Sequence, residues 1–188
     1  PAGGPTERLT AVANTALLAC HLPYVTDGSS NNHSISINGN TSTEPFAPYA
    51  SAEYSKTSHG ESIYFDGTGD HFTIPGGPAL GTGDFTVEYW IYYNAIGNYD
   101  YIYDGRNTSQ TTGSWSVAHG YGGGNATILQ WASGGSVILT AASNPSTNQW
   151  VHVAFCRSGS TCNFGSILFW SLTKSPLSAG RRIGLSQG

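Results

Sequence analysis

The sequence predicts an all-β protein, an antiparallel sandwich or barrel, and three observations predict it. Residues 83–92, Gly-Asp-Phe-Thr-Val-Glu-Tyr-Trp-Ile-Tyr, alternate strictly: Phe85, Val87, Tyr89 and Ile91 fall on one face, Thr86, Glu88, Trp90 and Tyr92 on the other. Residues 149–155 repeat the pattern, with Val151, Val153 and Phe155 opposed to His152 and Ala154. Clusters of Gly, Pro, Asn and Asp punctuate the chain at short intervals, and only residues 47–56 carry a weak helical pattern.

The elements follow in order. Residues 1–13 read as an extended Pro/Gly lead-in, either a linker entering a module or a processed terminus. Residues 15–22 make a first strand, and after the turn cluster 27–32 residues 33–37 make a second, closed by Asn38-Gly39-Asn40. A Pro-rich connection carries Pro45 and Pro48. Residues 62–65 and 71–74 read as a hairpin joined by Asp66-Gly67-Thr68-Gly69-Asp70, whose glycines supply positive φ. The long strand 83–93 comes next, then 99–104, 114–119, 127–131, 136–141, 149–157 and 166–172, separated by glycine-rich turns at 122–124, 134–135 and 158–160. No internal repeat or second domain is visible, so residues 14–188 form one domain.

Composition narrows the function. Of 188 residues, 38 % are hydrophobic, enough for a core, while only 10 % are charged, well below the roughly 25 % of an average soluble domain. Ser, Thr, Asn and Gly replace charge at the surface, a bias common in extracellular and virion β proteins. A net charge of −4 and seven scattered Lys and Arg leave no electrostatic footprint for nucleic acid. No window has the apolar length of a membrane span, so no membrane insertion is expected. Three cysteines leave one unpaired. Cys156 and Cys162 flank a turn, so a cross-strand bridge or free thiols are both open.

The order of motifs then carries a resemblance. Thr15-Ala-Leu-Leu, Asp27-Gly-Ser-Ser-Asn-Asn-His-Ser-Ile-Ser-Ile-Asn-Gly and Ser62-Ile-Tyr-Phe-Asp-Gly-Thr-Gly-Asp-His-Phe-Thr-Ile precede Gly83-Asp-Phe-Thr-Val-Glu-Tyr-Trp-Ile and Trp150-Val-His-Val-Ala-Phe-Cys-Arg-Ser-Gly. Together, over residues 14–160, they resemble the laminin-G-like, concanavalin-A-like jelly roll, in the version found in tail and other virion proteins of marine cyanophages. The resemblance implies a jelly-roll sandwich. Residues 183–188 resemble the family's penultimate strand, and the final strand, which pairs next to the first, is absent. An open sheet edge is therefore expected, capped by the N-terminal arm or filled by a neighbouring subunit unless the chain is a piece of something longer.

Candidate chemistry is sparse. Glycoside hydrolysis needs two carboxylates ~5–9 Å apart across the sugar bond. Glu88 is the one acid within a strong strand, and its same-face neighbours are Thr86 and Trp90, so the chain is not read as an enzyme. Asp66, Asp70 and Asp84 sit in glycine-rich loops and form a candidate Ca²⁺ set, against the alternative that each stabilises its own turn. In related jelly rolls such a site also draws ligands from the final strand. The six histidines show no zinc-ligand spacing.

Aromatic residues concentrate instead between positions 92 and 131. Tyr99, Tyr101, Tyr103, Trp115, Tyr121 and Trp131, with Asp104 and Arg106, form the candidate glycan site, because rings stack on the C–H faces of sugars while polar neighbours meet the hydroxyls. Asn98, Asp100, Asn107 and Gln130 are near enough in sequence to contribute. The competing reading gives the same rings to the core or to protein interfaces. The expectation is a non-catalytic surface module on a virion or in the extracellular space, binding surface polysaccharide and neighbouring subunits of a homo-oligomer. The alternatives are a purely architectural protein and a divergent polysaccharide hydrolase.

Overall fold

A computed structural model describes residues 8–46, 48, 55–80, 83–106, 115–124, 126–131, 137–141, 143–168 and 181–187. The strands are β1 (Leu18–Ala19), β2 (Ser36–Asn38), β3 (Ser42–Glu44), β4 (Ser62–Phe65), β5 (His71–Thr73), β6 (Phe85–Tyr93), β7 (Asp100–Asp104), β8 (Trp115–His119), β9 (Thr127–Trp131), β10 (Val137–Ala141), β11 (Trp150–Ser158), β12 (Thr161–Leu168) and β13 (Arg181–Gln187). One turn of helix, α1 (Lys56–His59), and a short 3₁₀ turn at Tyr121–Gly123 complete the inventory of described elements. Residues 47 and 49–54 of the weak helical pattern lie outside the described residues.

All strand pairs are antiparallel. Seven strands form one sheet in the order β12-β11-β6-β13-β4-β3, with β1 also paired to β13. The order β10-β9-β8-β7 makes a second sheet, and β2-β5 a separate pair. The layers meet over the alternating residues. Val87, Tyr89, Ile91 and Tyr93 of β6 and Val151, Val153 and Phe155 of β11 pack in one core with Ile102, Trp115 and Val117 of the facing sheet. Full burial of one such aliphatic or aromatic side chain stabilises by about 1.5–3 kcal/mol, so these four strands, β6, β11, β7 and β8, hold the sandwich together. A polar link crosses the same interface: Tyr89 Oη and His119 Nε2 lie 2.9 Å apart, and His119 Nδ1 lies 2.6 Å from Thr127 Oγ1.

Four expectations need correction. Residues 62–74 are not a hairpin, since β4 pairs with β3 and β13 while β5 pairs with β2. The Asp66–Asp70 loop passes between layers, with Gly67 and Gly69 at φ 88° and 79°. The Pro-rich connection contains β3, which lies along β4. The edge expected beside the first strand is filled by this chain: β13 takes β6 on one flank and β4 followed by β1 on the other. Of the two alternatives left open for the cysteines, free thiols hold: the hairpin register sets Cys156 opposite Asn163 and Cys162 opposite Arg157, so the two fall on opposite faces, and all three thiols are free. The strand expected at 166–172 begins earlier, at Thr161, directly after that turn, and its residues 169–172 lie outside the described residues.

Candidate functional site

β5 and β7 face one another with no ladder between them, and a groove of about 660 Å³ lies in the gap. Its walls are Asp70, His71 and Thr73 on one side and Tyr101, Tyr103 and Asp104 on the other; Phe65, Phe72 and Ile102 are among its apolar lining. The Cys20 thiol also lines it, and burial pushes that thiol up to about 12, so it stays protonated and unreactive.

A strip of aromatic rings continues the β7 wall. The Tyr121 ring stands edge-on to Tyr99 at 5.3 Å, and Tyr99 stacks with Tyr101 at 6.3 Å and 19°. Tyr99 is 40 % exposed and sits at φ 57°, a strained backbone that presents its ring outward at the start of the strand. The Arg106 guanidinium lies over Tyr101, 4.4 Å from the ring centroid. It forks onto Asp104, with Nε donating to Oδ1 at 2.8 Å and Nη2 to Oδ2 at 2.7 Å. Burial alone would raise the Asp104 carboxyl, but the bonds from Arg106 outweigh it and hold the group below its ordinary range; Arg106 is raised in turn.

Not every sequence-predicted residue belongs to this surface. A bulge in β7, where Tyr101 pairs with Ala118 but Tyr103 already pairs with Val117, breaks the alternation. Ile102 and Tyr103 therefore both pack toward the core, and Tyr101 stays on the rim. Tyr103 stacks flat on Trp115, with centroids 4.0 Å apart, and both rings donate to the Pro78 carbonyl. Trp115 is 1 % exposed: it supports the groove wall from beneath and cannot meet a ligand. Trp131 lies opposite Trp115 on β9. Asn107 is outside the described residues.

The three loop aspartates do not converge. Asp70 accepts from the Asn40 and Asp66 amides, Asp66 accepts from the Thr68 amide, and Asp84 accepts from the Gly159 amide at a different loop. Each carboxylate stabilises a turn, and no group of three potential metal ligands occurs among the described residues.

Glu88 lies on the far face of the large sheet, where its Oε2 is 3.2 Å from His152 Nε2. Its register partners are Ala154 and Ser186, neither of them acidic. The wall formed by Asp70, His71 and Thr73 escaped sequence reasoning, because its partner wall is some thirty positions away and only the pairing of β5 with β2 turns it toward β7.

Similarity to known proteins agrees with this architecture. The chain covers 92 % of itself but only 47 % of a solved chain of botulinum neurotoxin type C, at 13 % identity and a TM-score of 0.56; that work concerns cell entry dependent on two ganglioside molecules. A second match, to the binding domain of botulinum neurotoxin DC in complex with rat synaptotagmin II, has 13 % identity, a TM-score of 0.50, and covers 92 % of this chain and 46 % of that one. This chain thus spans about half the length of the solved chains it matches, and at such identity they speak for the fold alone. No curated protein matches it in sequence. A laminin-G family model matches residues 66–165, more than half of the sequence, and with the two-layered strand order this places the chain in the concanavalin A-like lectin/glucanases superfamily.

Proposed function

We propose that this chain is a non-catalytic glycan-binding module, acting through the β5–β7 groove and the tyrosine strip beside it. The observation that carries this reading is the continuity of Tyr121, Tyr99 and Tyr101 with a groove of sugar size, apolar in its depth and polar at its rim. Stacked rings offer C–H contacts, while Asp70, Thr73 and Asp104 offer acceptors to hydroxyls. Hydrolysis is disfavoured because the groove carboxylates are engaged in structural bonds, Asp104 in the Arg106 fork and Asp70 with the Asn40 and Asp66 amides, while Glu88 on the far face has no acidic strand or register neighbour. The solved structures described above, one concerned with gangliosides and one a binding domain in complex with synaptotagmin II, are compatible with a binding role. The setting we propose is a virion or extracellular surface, where a domain with 10 % charged residues presents polysaccharide-binding sites in several copies.

The test is a glycan array followed by titration calorimetry on the best binder. Tyr101→Ala should weaken saturable binding by about fivefold, since a ring stacked on the sugar contributes ~1 kcal/mol, and should lower the melting temperature by about 2–4 °C as the contacts to Tyr99 and Arg106 are lost. No glycan binding, together with self-association lost in Tyr99→Ala, would point instead to an architectural role with neighbouring copies of the chain as partners.

A further inference from the structure

We infer that Asp104 is a specificity-determining residue that restricts the groove to uncharged glycans, by occupying the guanidinium that would otherwise capture an acidic sugar. This rests on the glycan-binding reading and says which glycans. Among the described residues, the charged side chains lining the groove are Asp70 and Asp104, and His71 is the one potential cation on its walls. Arg106 follows the lining residues Asp104 and Gly105 and stacks on the rim residue Tyr101. An arginine set against an aromatic ring beside a sugar-sized groove is well placed to take a carboxylate or sulfate in a two-bond fork.

That fork is already taken. The Nε–Nη2 edge of Arg106 faces both oxygens of Asp104, and the Arg106 amide donates to Oδ1 as well, at 3.1 Å. The side chains are 23 % and 38 % exposed, so the pair is partly withdrawn from water and screened less than a free surface pair. An incoming anion meets a neutralised cation with a carboxylate beside it, and meets Asp70 on the opposite wall. Asp70 is itself held in place by the Asn40 and Asp66 amides, which keep its carboxylate positioned at the groove. Sugar hydroxyls face no such penalty, because they donate to carboxylates.

The experiment uses the whole chain on an array in which neutral N-acetyllactosamine-type and plain hexose oligosaccharides are each matched with their sialylated, uronate or sulfated forms, at neutral pH and low salt. The wild type should bind the neutral member of a pair more tightly. Asp104→Asn frees the fork and should raise the acidic-to-neutral affinity ratio by about tenfold or more, the effect of one charge-assisted bidentate contact. The double variant Asp104→Asn, Arg106→Gln should return the ratio to the wild-type side, a reversal that a general loosening of the loop would not produce. Preference of the wild type for acidic members, or an unchanged ratio in Asp104→Asn with folding intact by circular dichroism, would overturn the inference and leave glycan binding standing. Absence of binding to every member by wild type and variants alike would overturn both.

Discussion

Residue by residue, the division of labour among the aromatic side chains follows burial. Tyr99 and Tyr101 reach the surface, while Trp115 and Tyr103 stack beneath and tie the 74–80 loop through the Pro78 carbonyl. Trp115→Ala should accordingly behave as a core deletion and not as a ligand-contact deletion. A fully buried tryptophan removed to alanine costs about 3–5 kcal/mol, and here it also releases the ring under the groove wall. Chemical denaturation should show that loss in the midpoint with glycan affinity falling only where the fold is compromised. A variant of undiminished stability that no longer binds sugar would place the Trp115 ring in the binding surface after all. Sequence alternation alone could not separate Trp115 and Tyr103 from Tyr101. The one extra residue in β7 changes which side of the strand is inside, and nothing in Asp100-Tyr-Ile-Tyr-Asp104 marks a bulge.

Among elements, the strongest alternation was also the most informative. β6 and β11 read directly off the sequence because each is nine residues long and inserts apolar side chains at every second position. β1 and β3 are two and three residues long, too short for a period to show, and their pairing is decided by β13 and β4. The same holds for the Asp66–Asp70 loop: its glycines signal a turn but not whether the chain returns along the same sheet. What holds the two layers in register is partly polar. Tyr89 of β6 meets His119 of β8, and burial pushes the Tyr89 phenol well above its ordinary range, so it serves as a neutral hydrogen-bonding group. Tyr89→Phe keeps the ring and removes the hydroxyl, leaving the buried His119 Nε2 without that contact. The expected cost is about 1–3 kcal/mol, read as a lowered denaturation midpoint with an unchanged slope. A midpoint equal to wild type would mean that the ring contact between Tyr89 and His119, at 5.9 Å, holds the layers without the hydrogen bond.

At the scale of the whole molecule, stability should depend on acid through one carboxylate. Asp27 is buried, and its two oxygens accept from the Leu18 amide at 3.0 Å, the Ser29 amide and hydroxyl at 2.8 and 2.9 Å, and the His33 amide at 2.9 Å, with His33 Nδ1 at 2.7 Å. These bonds stitch the first strand to the loop that follows it. Burial alone would raise the carboxyl, but the three backbone amides and His33 outweigh it and depress it far below the ordinary carboxylate range. A carboxyl depressed by folding contributes stability that is complete above its unfolded value, near pH ~3.9, and that drains away as the pH falls below it toward the folded value. The wild type should therefore lose denaturant resistance steeply below about pH 4. Asp27→Asn turns one oxygen into a donor facing donors, so it should be less stable by about 1–3 kcal/mol at neutral pH and much flatter across the acid window. Denaturation midpoints measured from neutral pH into that window for both proteins give the comparison. Parallel acid slopes in wild type and Asp27→Asn would assign the acid lability to other carboxylates, and the anchoring of β1 would then rest on its pairing with β13.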